Sequence, residues 1–384
     1  MSRQRLPTPV RQQIVELATG RYQGFNQQHL TEMLAEHEQL DLSRPTVRRI
    51  LLRAGIHSPR QRGVRRVHRR RDRFPRAGML LQIDASRHDW LEGRGPWLSL
   101  VGAIDDATGR VPWACFRGQE DAEGYFEVLR QTVQHQGVPL ALYSDRHGIF
   151  FRTASRTRRL AEQFDGRRHP TQFGRLLEEL GIQLILARSP QATGRVERLW
   201  GTFQDRLASE LRLAGASTRE QAQAVLARFL PRHNQRFAVV PHDPQPAGQP
   251  APDRRRLEQV FCFKYRRTVA NDHTIEFGHQ RIDIPPGGPR RSYARGTVEL
   301  HHRFDGTLAV YFEGTCLTKV PLQPKRDDQR VDGYRGPSVS RLPRPPAPCP
   351  PAPVAQLSPA SKAHPPPASH PWKHSFPFEA RRTK

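Results

Sequence analysis

The stretch that most constrains this chain runs from Ile182 to Leu207, IQLILARSPQATGRVERLWGTFQDRL. Ile182–Ala187 has the length and branched composition of a buried strand. Ser189-Pro190 breaks it, and from about Ala192 the residues Val196, Leu199, Trp200, Phe203 and Leu207 recur at helical spacing. Glu197 sits one residue off that apolar stripe, between Arg195 and Arg198. An acid in a first helical turn complements the helix dipole. It gains a further meaning only if it has partners.

Two carboxylates upstream occupy the matching position at other strand ends. MLLQIDAS closes the apolar run Met79–Ile83 with Asp84, and PLALYSDRHGIF closes Leu140–Tyr143 with Asp145, followed by Gly148. Two strand-end aspartates and one helix glutamate can converge at one edge of a sheet. That is the requirement of two divalent ions that clamp an in-line displacement at phosphorus. Hard oxygen donors, few in number, suit Mg²⁺, which keeps several waters and completes its shell with phosphate oxygens.

These residues lie in phrases that carry a family likeness: LQIDASRHDWLEGRGPWLSLVGAIDDATGR, ALYSDRHGIF, TQFGRLLEELGIQLILARSPQATGRVERLWGTFQDRL and HNQRFAVVPHDP. In their order and context the chain resembles a DDE transposase with an integrase-type catalytic core. Within that group it is similar to the ISNCY-type insertion-sequence transposases. The resemblance covers roughly 80 to 245. It implies a central α/β ribonuclease H-like core, a mixed five-stranded sheet flanked by helices, with Asp84, Asp145 and Glu197 as catalytic residues and metal ligands. It also implies two Mg²⁺ ions, with Mn²⁺ able to substitute.

The spacing departs from the retroviral pattern. Asp84 and Asp145 are 61 positions apart and Asp145 and Glu197 are 52 apart. Retroviral integrases have a shorter second gap, which in this chain would fall at Glu178 or Glu179. Those two belong to TQFGRLLEEL, a helix before the last core strand with Leu176, Leu177 and Leu180 inward, whereas the catalytic acid should follow that strand. The excess reads as an insertion between Arg152 and Pro170, basic and without an apolar face.

Lys and Arg number 62 against 37 Asp and Glu, a formal charge of +25, which points to a polyanionic partner without choosing among them. There is no run of 18 apolar residues and no signal-peptide core at the N-terminus, so a soluble, non-secreted protein is expected. Cys115, Cys262, Cys316 and Cys349 are scattered without CxxC pairs, which excludes a zinc ribbon and suggests a reducing compartment.

The first domain, 1–57, reads as all-α. Val10–Thr19 ends before Gly20, Asn26 caps a helix bearing Leu30, Met33 and Leu34, and Ser43 caps SRPTVRRILLRAG with Gly55 as its stop. Val47, Ile50, Leu51 and Ala54 form the inner side of the third helix, and Arg44, Arg48, Arg49 and Arg53 lie on its surface. Two helices, a turn and an Arg-studded helix resemble a helix-turn-helix DNA-binding unit; the alternative is an ordinary bundle with a solvated basic face. Residues 58–77 are a basic linker whose Arg65, Arg66, Arg69, Arg70 and Arg71 are expected on DNA phosphates.

The core, 78–210, adds strands at Trp97–Ile104 and Val111–Phe116, joined by a turn that uses Asp105 and Asp106, and a helix over Asp121–His135. His88 and His147 follow the two aspartates; either can approach a phosphate, orient a water or support the carboxylates from behind. Residues 211–256 form a helical extension opened by a capping box at Ser217–Glu220. Arg195, Arg198, Arg206, Arg212 and Arg219 are candidates for DNA phosphates there, a solvated face being the alternative. Short strands with turns over 257–322 read as a small all-β barrel, with Arg266, Arg267, Arg281, Arg290, Arg291 and Arg295 on its surface. The Pro-rich segment 323–384 is expected to be disordered.

The function implied is that of an insertion-sequence transposase: it binds double-stranded DNA at terminal inverted repeats, cleaves with Mg²⁺ and joins the freed end to target DNA. A homo-oligomer on DNA, no membrane, no small-molecule substrate, and a cytoplasmic, bacterial, nucleoid-associated location go with it. Two alternatives stay open: a catalytically silent transposase-derived DNA-binding repressor, and a ribonuclease H-like nuclease without strand transfer.

Overall fold

A computed structural model of the chain describes residues 6–58, 72–145, 147–150, 170–187, 194–286 and 292–323. The arginines at 65–71, nearly all of the 152–170 insertion, the Ser189-Pro190 break and the Pro-rich segment from 324 onward fall outside the described residues.

The N-terminal unit is three helices, α1 (Thr8–Thr19), α2 (Gln27–His37) and α3 (Arg44–Arg53). Ile14, Tyr22, Leu30, Leu34, Val47 and Leu51 close a core between them. Asn26 caps α2 by accepting from the His29 amide at 2.8 Å. Ser43 precedes α3 without capping it, because its hydroxyl pairs with that of Thr46 at 3.0 Å. Gly55 takes φ +74°, the left-handed geometry that ends the helix. Arg44, Arg48, Arg49 and Arg53 are exposed as expected, but so is Ala54, which lies past the last helical turn.

The central layer is one mixed sheet in the order β3-β2-β1-β4-β5. Its strands are β1 (Leu80–His88), β2 (Leu98–Asp105), β3 (Ala114–Arg117), β4 (Ala141–Ser144) and β5 (Gln183–Leu186). β2 runs antiparallel to both neighbours, while β1, β4 and β5 are parallel. This is the mixed five-stranded sheet flanked by helices that the resemblance implies. β3 starts later than the sequence suggests: Pro112 has no amide to donate, and Val111 exchanges both backbone bonds with the Asn234 side chain at 2.8 Å instead of with β2.

Alternation along the buried strands sends side chains to two cores. One face carries Leu81, Ile83, Val101 and Ala103 against α4 (Ala122–Gln136) and α5 (Gln172–Leu180). The other carries Leu98, Leu100 and Ile104 against α6 (Gly194–Leu213) and α7 (Arg219–Phe237), through Leu199, Trp200, Phe203, Leu226 and Phe229. The capping box of α7 is formed one residue later than read, by Thr218 and Gln221.

Helices α6 and α7 also receive the N-terminal unit. Asn26 donates to Asp205 at 2.7 Å, Arg206 pairs with Glu32 at 2.5 Å, Arg232 reaches Glu36 at 3.5 Å, and Arg236 also bonds Glu32. This corrects the surface expected of α6. Arg206 is buried, Arg212 bonds Glu92 at 2.9 Å, and Arg219 is paired with Glu220 at 3.0 Å. The Arg206 and Arg212 guanidinium groups hold protein carboxylates from other elements, whereas Arg219, the first residue of α7, stays exposed beside the exposed Glu220.

After α8 (Arg254–Val260) come β6 (Cys262–Thr268), β7 (Thr274–Phe277), β8 (Gln280–Asp283), β9 (Thr297–Arg303), β10 (Thr307–Phe312) and β11 (Thr315–Pro321). Among the described residues they form a four-stranded antiparallel sheet, β11-β10-β9-β6, and a separate β7-β8 hairpin, not one closed barrel. Val269, Ile275, Ile282, Leu300 and Leu308 fill the space between them. This unit docks on α5: the Gln172 amide exchanges two bonds with the Lys264 backbone, at 2.7 and 3.0 Å, and Glu179 takes both Lys264 and Arg175 at 2.8 Å. On its surface Arg281 pairs with Asp272 and Arg295 donates to Asn271 at 3.1 Å.

Candidate active site

The sheet's register explains the first spacing. β1 and β4 pair as Leu80↔Ala141, Leu81↔Leu142 and Gln82↔Tyr143, an offset of 61 residues. Carried forward, it sets Asp84 level with Asp145, the residue that follows β4. Asp84 therefore lies in the middle of β1, which runs on to His88 rather than ending at the acid as the apolar run suggests, and it stands beside Asp145 just past the C-terminal end of β4.

Their electrostatics agree with that placement. Burial pushes Asp84 up to about 6, and the nearby charges of Asp145 and Glu120 push in the same direction. Two hydrogen bonds oppose this: Trp200 Nε1 donates to Asp84 Oδ2 at 2.9 Å, and the Ala85 backbone amide donates to the same carboxylate. Asp145 is exposed, and its Oδ1 accepts from the His147 amide at 3.0 Å.

Glu120 is a carboxylate that the sequence reading missed. It stands between β3 and α4, next to Asp121, which caps α4 by accepting from the Gly124 amide at 2.8 Å. The buried Tyr125 hydroxyl donates to Glu120 Oε1 at 2.6 Å, and His147 Nδ1 lies 3.8 Å from the same oxygen. Burial first, then the negative charge of Glu120, raises the Tyr125 hydroxyl well above its ordinary value. In sequence, Gln-Glu-Asp before a helix reads only as a cap.

Glu197 lies in the first turn of α6, exposed, three residues before Trp200 and so on its side of the helix. Among the described residues no three His, Cys, Asp or Glu side chains stand together as a ready-made metal-holding group. The fold thus brings Asp84 and Asp145 together, adds Glu120, and carries Glu197 on the helix that covers Asp84. His88 ends β1 with its ring against Trp90 at 5.3 Å, while His147 faces Glu120.

The competing glutamates have other work. Burial alone would raise Glu179, but bonds from Lys264 and Arg175 outweigh it and hold this carboxyl below the usual range. Glu178 is exposed on the same helix, α5, which precedes β5. Asp105 and Asp106 are both buried. Asp105 accepts from Thr108 and Gly78 at 2.8 Å, and Asp106 accepts from Gln82 and Arg195 at 2.8 Å. They are turn residues, as the sequence suggests. Arg195, expected among the DNA contacts, is only 14% exposed and pins α6 to that turn, whereas Arg198 is exposed.

Among the described residues no helix is long and apolar enough to cross a membrane. No protein-family model matches the chain. The solved structures similar to it include a simian T-cell lymphotropic virus intasome, at 16% identity and TM-score 0.34, covering 80% of this chain and 95% of that one. Another is the magnesium-bound HTLV-2 integrase catalytic core in its trimeric form, at 15% identity and TM-score 0.27, covering 39% and 82%.

Sequence relatives are nearer. "Transposase for insertion sequence IS1202" of Streptococcus pneumoniae is 32% identical over 313 residues, 73% of this chain and 65% of that protein. "Putative transposase y4bF" of Sinorhizobium fredii (strain NBRC 101917 / NGR234) is 38% identical over 333 residues, 86% of this chain. The chain therefore spans 70% of the second protein's length and just under two thirds of the first's. With that identity over that share of both sequences, this chain belongs to the transposase family.

Proposed function

We propose that this protein is an insertion-sequence transposase that binds the terminal inverted repeats of its element and catalyses Mg²⁺-dependent cleavage and strand transfer into target DNA. The observation that carries the reading is the level placement of Asp84 in β1 and Asp145 just after β4, beside the helix whose first turn bears Glu197. A homo-oligomer on DNA is part of the proposal, since two element ends must be handled together.

The donor set fits a divalent cation. Asp84, Asp145 and Glu120 bring hard, negatively charged oxygens near one another, and burial first, then the charges of Asp145 and Glu120, disfavour the Asp84 anion that a bound cation would stabilise. Asp84, Asp145 and Glu197 would together hold two Mg²⁺ ions, with Mn²⁺ able to serve in their place. When bound, the ions supply a nucleophile at neutral pH and stabilise the leaving oxygen.

The remaining roles belong to the chain. Asp84 ionises above about pH 6, so it is ready as an anion at neutral pH. The Trp200 indole holds one of its oxygens. Arg44, Arg48, Arg49 and Arg53 on α3, Arg198 on α6 and the arginines of 65–71 meet phosphates. No side chain is needed as a covalent nucleophile, because water and then the freed 3′-hydroxyl attack phosphorus.

The test is a cleavage and joining assay on a labelled element end with Mg²⁺, Mn²⁺ or EDTA, beside Glu197→Gln. Metal-dependent joining that Glu197→Gln abolishes is the expected result. Specific end binding without cleavage in any metal would overturn it in favour of a repressor. Cleavage without joining would overturn it in favour of a nuclease.

A further inference from the structure

Glycine in the middle of a buried strand weakens it and marks a place where something must approach closely. Gly102 is such a residue. It lies in β2, buried on both faces, and pairs directly with Asp84 across the antiparallel ladder. A Cβ there would stand 3.1 Å from Trp200 Cη2 and 3.1 Å from the Ala114 Cβ. The missing side chain leaves a slot, and the indole ring of Trp200 fills it.

Trp200 is 6% exposed, and its indole N–H donates to Asp84 Oδ2 at 2.9 Å. Beyond filling the slot with its six-membered ring, the indole carries a donor aimed at a carboxylate. Phe203, one turn further on, packs edge-on against it with ring centroids 6.0 Å apart, and this holds the ring's tilt. The donor occupies one carboxylate oxygen and restricts the rotation that an exposed aspartate would have.

We propose that Trp200 is a positioning residue: seated in the slot that Gly102 leaves, its indole N–H fixes the Asp84 carboxylate and ties it, through α6, to Glu197 one turn away. This rests on the reading of Asp84 and Glu197 as metal-holding residues and adds the device that sets one relative to the other. Hydrogen-bonding partners behind metal ligands are worth about ten- to a hundredfold in metal affinity. Trp200→Phe, which keeps an aromatic ring at this position and removes the donor, therefore raises the Mg²⁺ concentration for half-maximal joining about tenfold. High Mg²⁺ restores most of the rate.

The first readout needs no metal and no activity. In EDTA, the Trp200 indole ¹⁵N–¹H resonance, identified by its loss in Trp200→Phe, shifts in Asp84→Asn while those of Trp90 and Trp113 stay in place. Should Trp200→Phe fail to fold, the resonance that moves in Asp84→Asn must also move in Gly102→Ala, which crowds the ring without removing it. An indole resonance indifferent to Asp84→Asn overturns the proposal. So does a Trp200→Phe protein that keeps the wild-type Mg²⁺ dependence, or one that loses rate equally at every Mg²⁺ concentration. Absence of metal-dependent joining by the wild type overturns the functional reading instead, and leaves the metal-free indole test standing on its own.

Discussion

Asp84 should cost the metal-free protein stability, and removing its charge should return it. The folded environment pushes this carboxyl from an ordinary 3.8 up to about 6, chiefly through burial and then through Asp145 and Glu120. Each unit of pKa corresponds to about 1.4 kcal/mol, so the charged form is disfavoured by at most about 3 kcal/mol on folding. Because Asp84 keeps some solvent access, roughly half of that is a fair expectation. Asp84→Asn preserves the shape and an acceptor for Trp200, and should raise stability by about 1.5–3 kcal/mol at pH 7.5 in EDTA. For a domain of this size that is about 3–9 °C in Tm.

The sign fixes the pH window. A raised carboxyl gains a proton in the folded state first, so the wild type recovers stability as pH falls through about 6, and the two proteins converge near 3.8. The assay is urea and thermal unfolding of both proteins from pH 8 to pH 4, with and without Mg²⁺. Mg²⁺ should stabilise the wild type and leave Asp84→Asn nearly unchanged. An Asp84→Asn protein that melts at or below wild type in EDTA at pH 7.5 would refute the reasoning.

Further outcomes follow from other sites. Asp145→Asn should abolish joining while end binding, measured by mobility shift, stays near wild type; wild-type joining would remove Asp145 from the site. Lys264→Ala should destabilise the docking of the C-terminal sheet by about 1–2 kcal/mol. Glu179 is held below 4.5, so the bridge's contribution is present above that pH and fades as pH falls through the lower folded value; a pH-independent loss in urea melts would contradict this. Buried His233 is pushed down from 6.5 to about 4, first by burial and then by Arg206. The unfolded chain therefore gains its proton first, and stability drains as pH falls below 6.5, by about 2 kcal/mol at pH 5. His233→Gln should lack that slope. Arg48→Ala with Arg49→Ala should weaken DNA binding and reduce the slope of log affinity against log salt by about 2.

The placement of the candidate site's first two carboxylates was legible because it is local. Asp84 and Asp145 could be found as acids closing apolar runs, and their 61-residue separation is the β1–β4 register itself. The helical period of Val196, Leu199 and Phe203 marked the helix that carries Glu197. What escaped depends on long-range contact. Trp200 reads as one more apolar residue on the stripe, and nothing near it in sequence tells that its N–H meets Asp84, 116 positions away. Gly102 reads as an indifferent strand residue until a ring lies over it. Arg206 and Arg236 look like a basic face because their partner, Glu32, is 174 and 204 positions distant. In the C-terminal unit, alternating strands predict antiparallel pairing correctly, but no strand-local signal says whether the β7-β8 hairpin closes the sheet.

The ion pairs that seat the N-terminal helices on α6 make that helix a ruler. Its first turn bears Glu197, and less than three turns later Asp205 and Arg206 grip Asn26 and Glu32. At 1.5 Å per residue, the eight-residue step from Glu197 to Asp205 spans about 12 Å of rigid rod. Under the proposed reading, the distance between the repeat held by α3 and the bond to be cut is then dictated by protein, not by the linker between the two domains. Adding or deleting linker residues should leave the cleavage position in register, whereas a helical turn inserted between Glu197 and Asp205 should displace it along the duplex by about 5.4 Å, between one and two base pairs.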